Sequence, residues 1–286
     1  MDESKTTEIE ALVSLLGDED PKIFGMVSEH LLELGAAAVP FLRGVSESPD
    51  PRLRLRSRHL LRQVVLDEVE AELEATAELS DDEFDLERAS FALARIEYPD
   101  LDREEVSGPL DELAETIRPR LQGIAAPIDQ LRIVNQVLFV ESKFRGDSRN
   151  YYDADNVFLN RVLDRRMGVP ISLASVYLLV AKRLELPAFG VGLPSNFLIR
   201  YGDSNTDLFI DPFLEGKLLS RRDCVQYLTS AGYYYKDAYI SNSTARDMVL
   251  RTIRHLVVVY SRKQDKRLMS RLNRYTEFLH SRERTR

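Results

Sequence analysis

A chain of 286 residues with 44% apolar and 30% charged content has room for about two domains of ~150 residues and enough apolar side chain to build a core. Its formal net charge of -8 has the opposite sign to that of a general nucleic-acid binder. A single cysteine, Cys224, excludes an intrachain disulfide and a zinc cage built on cysteines.

The start, Met1-Asp-Glu-Ser-Lys5, has neither a basic nor an apolar leader region, so no secretory signal is expected. The longest uncharged apolar run, Leu173 to Ala181, is far shorter than the ~20 residues that span a bilayer. The expectation is a cytoplasmic protein without a membrane segment.

Short helices open the chain. Ile9, Leu12, Val13, Leu15 and Leu16 make an apolar face that ends at Gly17. Asp20-Pro21 starts the next helix, with aspartate as N-cap and proline at the first helical position, where its missing N–H costs nothing. That helix carries Ile23, Val27, Leu31 and Leu34 and stops at Gly35. Asp50-Pro51 repeats the signal, and His-Leu-Leu recurs at 30–32 and 59–61. A unit of about 30 residues is a helical-repeat signature, and Leu34-Gly-Ala-Ala-Ala-Val-Pro-Phe-Leu42 resembles HEAT repeats. His30 and His59 hold equivalent positions, which suits helix packing and not a metal pair.

Arg54, Arg58 and Arg62, joined by Arg52 and Arg56, form a basic stripe able to grip an acidic peptide or a phosphate backbone. The same spacing also describes the solvent face of a helix whose core side is Leu53, Leu60, Leu61 and Val64. Residues 67–87 hold eleven acidic side chains and no lysine or arginine, as a solvated helix face would. Within them, Ser80-Asp-Asp-Glu83 reads as a capping box opening a helix with Phe84, Phe91 and Leu93.

Further helices follow on the faces Leu110, Leu113, Ala114, Ile117, Leu121 and Ile128, Leu131, Val134, Leu138. A third carries Phe158, Leu159, Val162 and Leu163 and is expected to close at Gly168, and Pro170 opens a fourth. The pattern then turns to strands at 188–193, 196–201 and 208–213, with a turn at Gly202-Asp-Ser-Asn205. Ser220-Arg-Arg-Asp223 begins another helix, and from Ala245 the chain is helical again. The tail from Arg246 has twelve basic residues against four acidic ones, in a pair of solvated helices. The expected fold class is α+β and predominantly helical, with a small antiparallel sheet. Expected domains are 1–78, 79–240 and 241–286.

Three segments carry a family resemblance: Asn156-Val-Phe-Leu-Asn-Arg-Val-Leu-Asp-Arg-Arg-Met-Gly-Val-Pro-Ile-Ser-Leu173, Gly190-Val-Gly-Leu-Pro-Ser-Asn-Phe-Leu-Ile-Arg200 and Phe209-Ile-Asp-Pro-Phe213. With Ala94-Arg-Ile-Glu-Tyr-Pro-Asp-Leu-Asp102 and Leu110-Asp-Glu-Leu-Ala114, they closely resemble the SirB-type family of the transglutaminase-like superfamily over roughly residues 80–230. The resemblance implies a cysteine-protease-like core, with the C-terminal helices as a reduced tetratricopeptide-like tail. It also implies a site built from a cysteine at a helix N-terminus, a histidine on one strand and an aspartate on the next. In such a site the helix dipole and the imidazole lower the thiol pKa while the carboxylate orients the ring.

Only Asp211 matches that pattern. The helix that should begin with cysteine begins Pro170-Ile-Ser172, and Asn196 stands where some relatives have histidine. Asparagine has no titratable nitrogen near neutral pH and cannot act as a general base. No histidine lies between residues 60 and 254, so His255 or another terminal histidine would have to reach in. Ser172, Asn196 and Asp211 are therefore candidates for a degenerate cleft, with Asn196 as partner to Asp211 or Ser172. Cys224 lies away from the nucleophile position and is expected to be inert, although nearby arginines would acidify it modestly. Tyr233, Tyr234 and Tyr235 are candidate partner-binding residues beside the Arg54, Arg58 and Arg62 stripe. No cofactor or metal motif is present. The expected function is a non-catalytic protein-interaction or regulatory protein, with a protein partner. The alternatives are a hydrolase or acyltransferase acting on peptide-like amides through Ser172 or Cys224, and nucleic-acid binding through the basic tail and the arginine stripe.

Overall fold

The structure, a computed structural model, describes residues 3–202 and 208–280. Residues 203–205 of the expected turn and the last six residues of the basic tail lie outside the described residues. Against divisions expected near 79 and 241, the chain forms two compact units: residues 1–73 with 92–101, and 74–91 with 102–286.

The first unit contains α1 (Glu3–Leu15), α2 (Pro21–Leu34), α3 (Val39–Val45) and most of α4 (Pro51–Ala77). Asp20 caps α2 by accepting the Lys22 N–H at 2.8 Å, and Gly35 ends it at φ 53°, a left-handed turn that glycine takes without penalty. Asp50 accepts the Arg52 N–H at 2.8 Å at the start of α4, so both Asp-Pro signals cap as expected. Ile9, Leu16, Val27, Leu31, Leu42 and Leu60 form its core. The two repeat histidines differ: His30 meets Glu8 at 3.1 Å, whereas His59 is exposed and bonds to Gln63. Helix packing thus accounts poorly for His59.

Ser80 donates both its N–H and its hydroxyl to Glu83 Oε2, and the Glu83 N–H goes to the Ser80 carbonyl, so the pair closes a turn and opens no helix. α5 starts later, at Leu86–Ala94, where Asp85 accepts the Arg88 N–H at 3.0 Å. The backbone needs a cap at the residue before the helix, and Asp85 supplies it.

In the second unit α6 (Glu104–Ile117) and α8 (Leu159–Arg165) pack on α9 (Pro170–Arg183), and α7 (Pro127–Asn135) lies between α6 and α8 in the chain. α7 runs into a π-helical turn at Gln136–Glu141. α9 is buried on nearly every side from Pro170 to Ala181, as befits a helix apolar all round. α8 closes on Arg166, left-handed at φ 57°, and not on Gly168. Gly168 instead lies in a two-residue strand pairing β1 (Arg145–Gly146) with β2 (Met167–Gly168) in parallel. A side chain at Gly168 would lie 2.6 Å from Ser172 Oγ, so glycine there leaves room for the start of α9.

The main sheet is antiparallel in the order β6-β5-β4-β3-β7, built from β3 (Ala188–Val191), β4 (Leu198–Tyr201), β5 (Leu208–Asp211), β6 (Lys217–Ser220) and β7 (Asn242–Ser243). The two edge strands, which add to the three expected, carry no strong alternation in the sequence. Register pairs Arg200 with Phe209 and Asp211 with Lys217, which puts Arg200, Phe209, Asp211, Lys217 and Leu219 on one face. α10 (Arg221–Ser230), capped by Ser220 and Asp223, covers that face with Cys224 and Leu228 against Val191, Leu198 and Phe209. α11 (Ala245–Arg262) and α12 (Lys266–His280) pair and belong to this same unit.

Candidate functional site

On the α10 side of the sheet is a cleft of about 660 Å³. Pro170 at the head of α9, Asn196 before β4 and Asp211 at the end of β5 all border it. Leu193, Leu198, Leu219, Phe213 and Tyr151 supply apolar walls, and Lys217, Asp223, Cys224 and Tyr227 are also part of the lining. These positions come from four separate segments, which the sheet and α9 bring to one place.

Asp211 is 3% exposed. Its Oδ1 accepts the N–H groups of Phe213 at 2.9 Å and Leu214 at 3.1 Å, which fixes the turn after the strand. Its Oδ2 accepts Asn196 Nδ2 at 3.0 Å, so Asn196 is the partner of Asp211. Asn196 Oδ1 in turn takes the Phe197 N–H at 2.8 Å, leaving the amide fixed in orientation. The preceding Ser195 is left-handed at φ 62°, a conformation that side chains adopt rarely.

Ser172 does not reach this place. Its hydroxyl donates to the Asn156 carbonyl at 2.6 Å and accepts the Val169 N–H at 3.1 Å. It closes the start of α9 from inside, while Pro170, two residues earlier, borders the cleft. Ser172→Ala should therefore cost only about 1 kcal/mol, the net worth of buried hydrogen bonds, because the Asn156 carbonyl and the Val169 N–H also bond each other at 3.1 Å, with no change in what the cleft binds. Thermal denaturation and a binding isotherm on the same sample separate the two.

Cys224 borders the cleft but is fully buried. Burial, then the neighbouring Asp223, push its thiol up to about 11, outweighing Arg200 and Arg221. The expected acidification by arginine is thus overturned: desolvation of the thiolate exceeds the attraction of cations at this depth.

His255 does not enter the cleft either. Its Nε2 lies 3.3 Å from the Tyr151 carbonyl, and its ring stacks on Tyr152 at 6.0 Å. Burial lowers its pKa from the ordinary 6.5, so near that pH the folded protein holds fewer protons on this ring than the unfolded chain does. Its contribution to stability is full above 6.5 and is lost as pH falls through that value. The urea midpoint should therefore drop between about pH 7 and pH 5, and His255→Phe should flatten the drop; an identical slope in the variant would contradict this.

Arg251, on α11, was not foreseen. Its Nη2 donates to the carbonyls of Leu193 at 2.7 Å and Asn196 at 2.9 Å, with its guanidinium over Phe197. The segment expected to be a separate tail thus holds the loop that carries Asn196. No local signal marks Arg251, because its partners lie 55 and 58 residues away.

The remaining candidates lie outside the cleft lining. Arg54 donates to the Ser48 carbonyl, Arg58 to Ser46 O and Glu47, and Arg62 lies 4.0 Å from Glu97. The stripe therefore ties α4 to the loop before it. Tyr234 is 91% exposed, while Tyr235 donates to Asp237 and accepts from Arg221. The basic tail is partly turned inward: Arg246 is buried and Arg262 lies over the Tyr152 ring. Among the described residues no helix is long and apolar enough to cross a membrane, and no cluster of three or more histidine, cysteine or acidic side chains could hold a metal ion.

Comparison with known proteins places this geometry. A family model described as the transglutaminase-like superfamily matches residues 104–254. A UPF0162 protein of Xylella fastidiosa is 35% identical over 147 residues, 51% of this chain and 52% of that protein. A UPF0162 protein of Pasteurella multocida is 28% identical over 120 residues, 42% of this chain and 45% of that protein. F-box only protein 21 of Mus musculus is 38% identical over 115 residues, 36% of this chain and 18% of that protein. The chain thus spans about half the length, or less, of these curated relatives. No solved structure matches it significantly.

Proposed function

The chain belongs to the transglutaminase-like superfamily, and from that premise we propose that it is a non-catalytic protein-interaction module whose cleft has kept its shape and lost its chemistry. The observation that carries this is the Asn196–Asp211 hydrogen bond at 3.0 Å. An amide that is never a base occupies the position beside the carboxylate where active relatives need an imidazole. Proline heads α9 where a nucleophile would stand.

Ser172, Asn196 and Asp211 keep their role as remnants of the old site, with Ser172 supporting it from behind. The first unit acts as HEAT-like repeats, and α11 with α12 as a reduced tetratricopeptide-like end; both supply partner-binding surface, with Arg54, Arg58, Arg62 and Tyr233 to Tyr235 as its candidate contacts. Support for a portable module comes from F-box only protein 21, where the similar segment is 18% of a much longer chain.

One observation favours a second reading, a hydrolase or acyltransferase of peptide-like amides: Cys224 borders the same cleft as Asp211. A thiol pushed up to about 11 is protonated at neutral pH, which sets this reading behind the first. Thiol- and hydroxyl-reactive activity probes decide between them. The folded protein should remain unlabelled; labelling that disappears in Ser172→Ala or Cys224→Ala would establish the enzyme instead. Salt-dependent retention on a nucleic-acid column would revive nucleic-acid binding, and flow-through at low salt is expected.

A further inference from the structure

Along α11, Arg254, Val258 and Arg262 recur at every fourth residue and all three are exposed, so they form one row about 12 Å long. The turn into α12 adds Lys263, Lys266 and Arg267, which are exposed as well. None of these five cations forms an ion pair with a carboxylate among the described residues. Arg254 meets the His280 ring nitrogen at 2.9 Å, Arg262 lies 3.6 Å from the centre of the Tyr152 ring and Lys263 lies 5.3 Å from that of Tyr260. Between residues 254 and 276 the one acidic residue is Asp265, and its Oδ1 accepts the Leu268 N–H at 3.0 Å at the start of α12.

Helix stability does not account for the whole cluster. Arg262 and Lys263 complement the dipole at the end of α11, but Lys266 and Arg267 stand in the first turn of α12, where the dipole disfavours cations. Like charges this close repel one another, and an anion laid across them relieves the repulsion. The patch also has an apolar part: Val258 is 44% exposed and Tyr152 42%, with the Tyr152 ring fixed by His255 and Arg262. The row is too short to track a nucleic-acid backbone, and a chain with a net charge of -8 repels a long polyanion that runs past it. Within a Debye length of ~8 Å the local cations decide instead. Carboxylates flanking an apolar side chain match them, since the acids meet the arginines and lysines while the apolar group meets Val258 and Tyr152.

We propose that the exposed row of α11 and the turn into α12 bind an acidic segment of a partner protein, with an apolar side chain of that segment against Val258 and Tyr152. The inference rests on reading the chain as an interaction protein and supplies the chemistry of the partner. None of these residues lines the Asp211 cleft, so the contact is a second surface.

The test titrates the full chain calorimetrically with three capped peptides: Glu-Glu-Leu-Leu-Glu-Glu, its form with glutamine for glutamate, and its form with serine for leucine. The first should bind at least ~tenfold more tightly than the glutamine form and about threefold more tightly than the serine form. Lys266→Glu combined with Arg267→Glu should weaken it by at least ~tenfold. Glutamate suits the first turn of a helix, so this variant should be no less stable than the parent and its loss of binding is not unfolding. Lys5→Glu combined with Lys22→Glu makes the same change of net charge at exposed positions of the first unit and should leave the affinity within about twofold. No binding of any peptide, equal binding of any two, or an equal effect of the two double variants overturns the inference. Tighter binding of a single-stranded DNA of about 12 nucleotides overturns it in favour of a nucleic-acid surface. A dimer in sedimentation that the Lys266→Glu/Arg267→Glu variant dissolves overturns it in favour of a second copy of this chain. None of these outcomes bears on the loss of chemistry in the cleft, which the activity probes test separately.

Discussion

Gly216→Ala is expected to destabilise the protein by about 3 kcal/mol, roughly the sum of a left-handed backbone penalty near 1 kcal/mol and an overpacking cost of 1–3 kcal/mol. Gly216 has φ +79°, and a Cβ there would lie 2.5 Å from the Phe139 ring and 2.8 Å from Asn135 Nδ2. Neither neighbour can retreat freely. Asn135 Nδ2 donates to the Gly216 carbonyl at 2.8 Å, and Phe139 lies in the buried π-helical turn. Gly216 also closes the hairpin between β5 and β6 through its N–H to the Asp211 carbonyl at 2.9 Å. The substitution therefore pushes on the strand end that carries Asp211. Urea denaturation at constant slope gives the change. A loss below about 1 kcal/mol would mean that the loop relaxes without disturbing the hairpin.

Arg246→Met should cost a comparable ~3 kcal/mol, because removing the guanidinium takes the donor from Asp81 and from two backbone carbonyls at once. Arg246 is 4% exposed. It bonds Asp81 at 3.0 Å, the Ala77 carbonyl at 3.2 Å and the Leu79 carbonyl at 2.7 Å, and lies over the Phe84 ring. Methionine keeps the volume and the stem, so the loss measures the hydrogen bonds and not a cavity. Arg246→Lys should recover only part of it, since one ammonium does not reach three acceptors fixed around a planar fork. Equal stability of the lysine variant and the parent would contradict this account of the site.

Both positions show what was legible in the sequence and what was not. Local signals worked where local physics decides. Asp20-Pro21, Pro170 and Ser220-Arg-Arg-Asp223 each open the helix expected of them, because capping involves residues two or three apart. Ser80-Asp-Asp-Glu83 had the right chemistry and made its bonds, yet the chain turns before α5. The three central strands were readable from their apolar runs. The edge strands β6 and β7 were not, since their pairing comes from neighbours and not from their own pattern.

The same division holds in the cleft. The Asn196–Asp211 pair followed from a family resemblance that supplied the spatial adjacency. Ser172 reads as a cleft residue because it is near a helix start, but its hydroxyl faces inward, bonded to the Asn156 carbonyl and the Val169 N–H. Arg251 and Tyr227 could not be singled out, as their roles depend on contacts between distant segments. The sequence pattern of the basic tail reads as solvated surface, whereas Arg246 and Arg251 turn inward to bond backbone carbonyls of distant segments.

The claim that the cleft has lost its chemistry requires that Cys224, the sulfur bordering it, be inert as well. Alkylation of Cys224 by iodoacetamide at about pH 7.5, in the native protein and in urea, measures that state directly, because only the thiolate reacts. A buried sulfur whose thiol is held up to about 11 predicts native labelling at least on the order of a hundredfold slower than in the unfolded chain. Native labelling as fast as in urea, or persisting undiminished below about pH 6 as an activated thiolate would, would contradict the account.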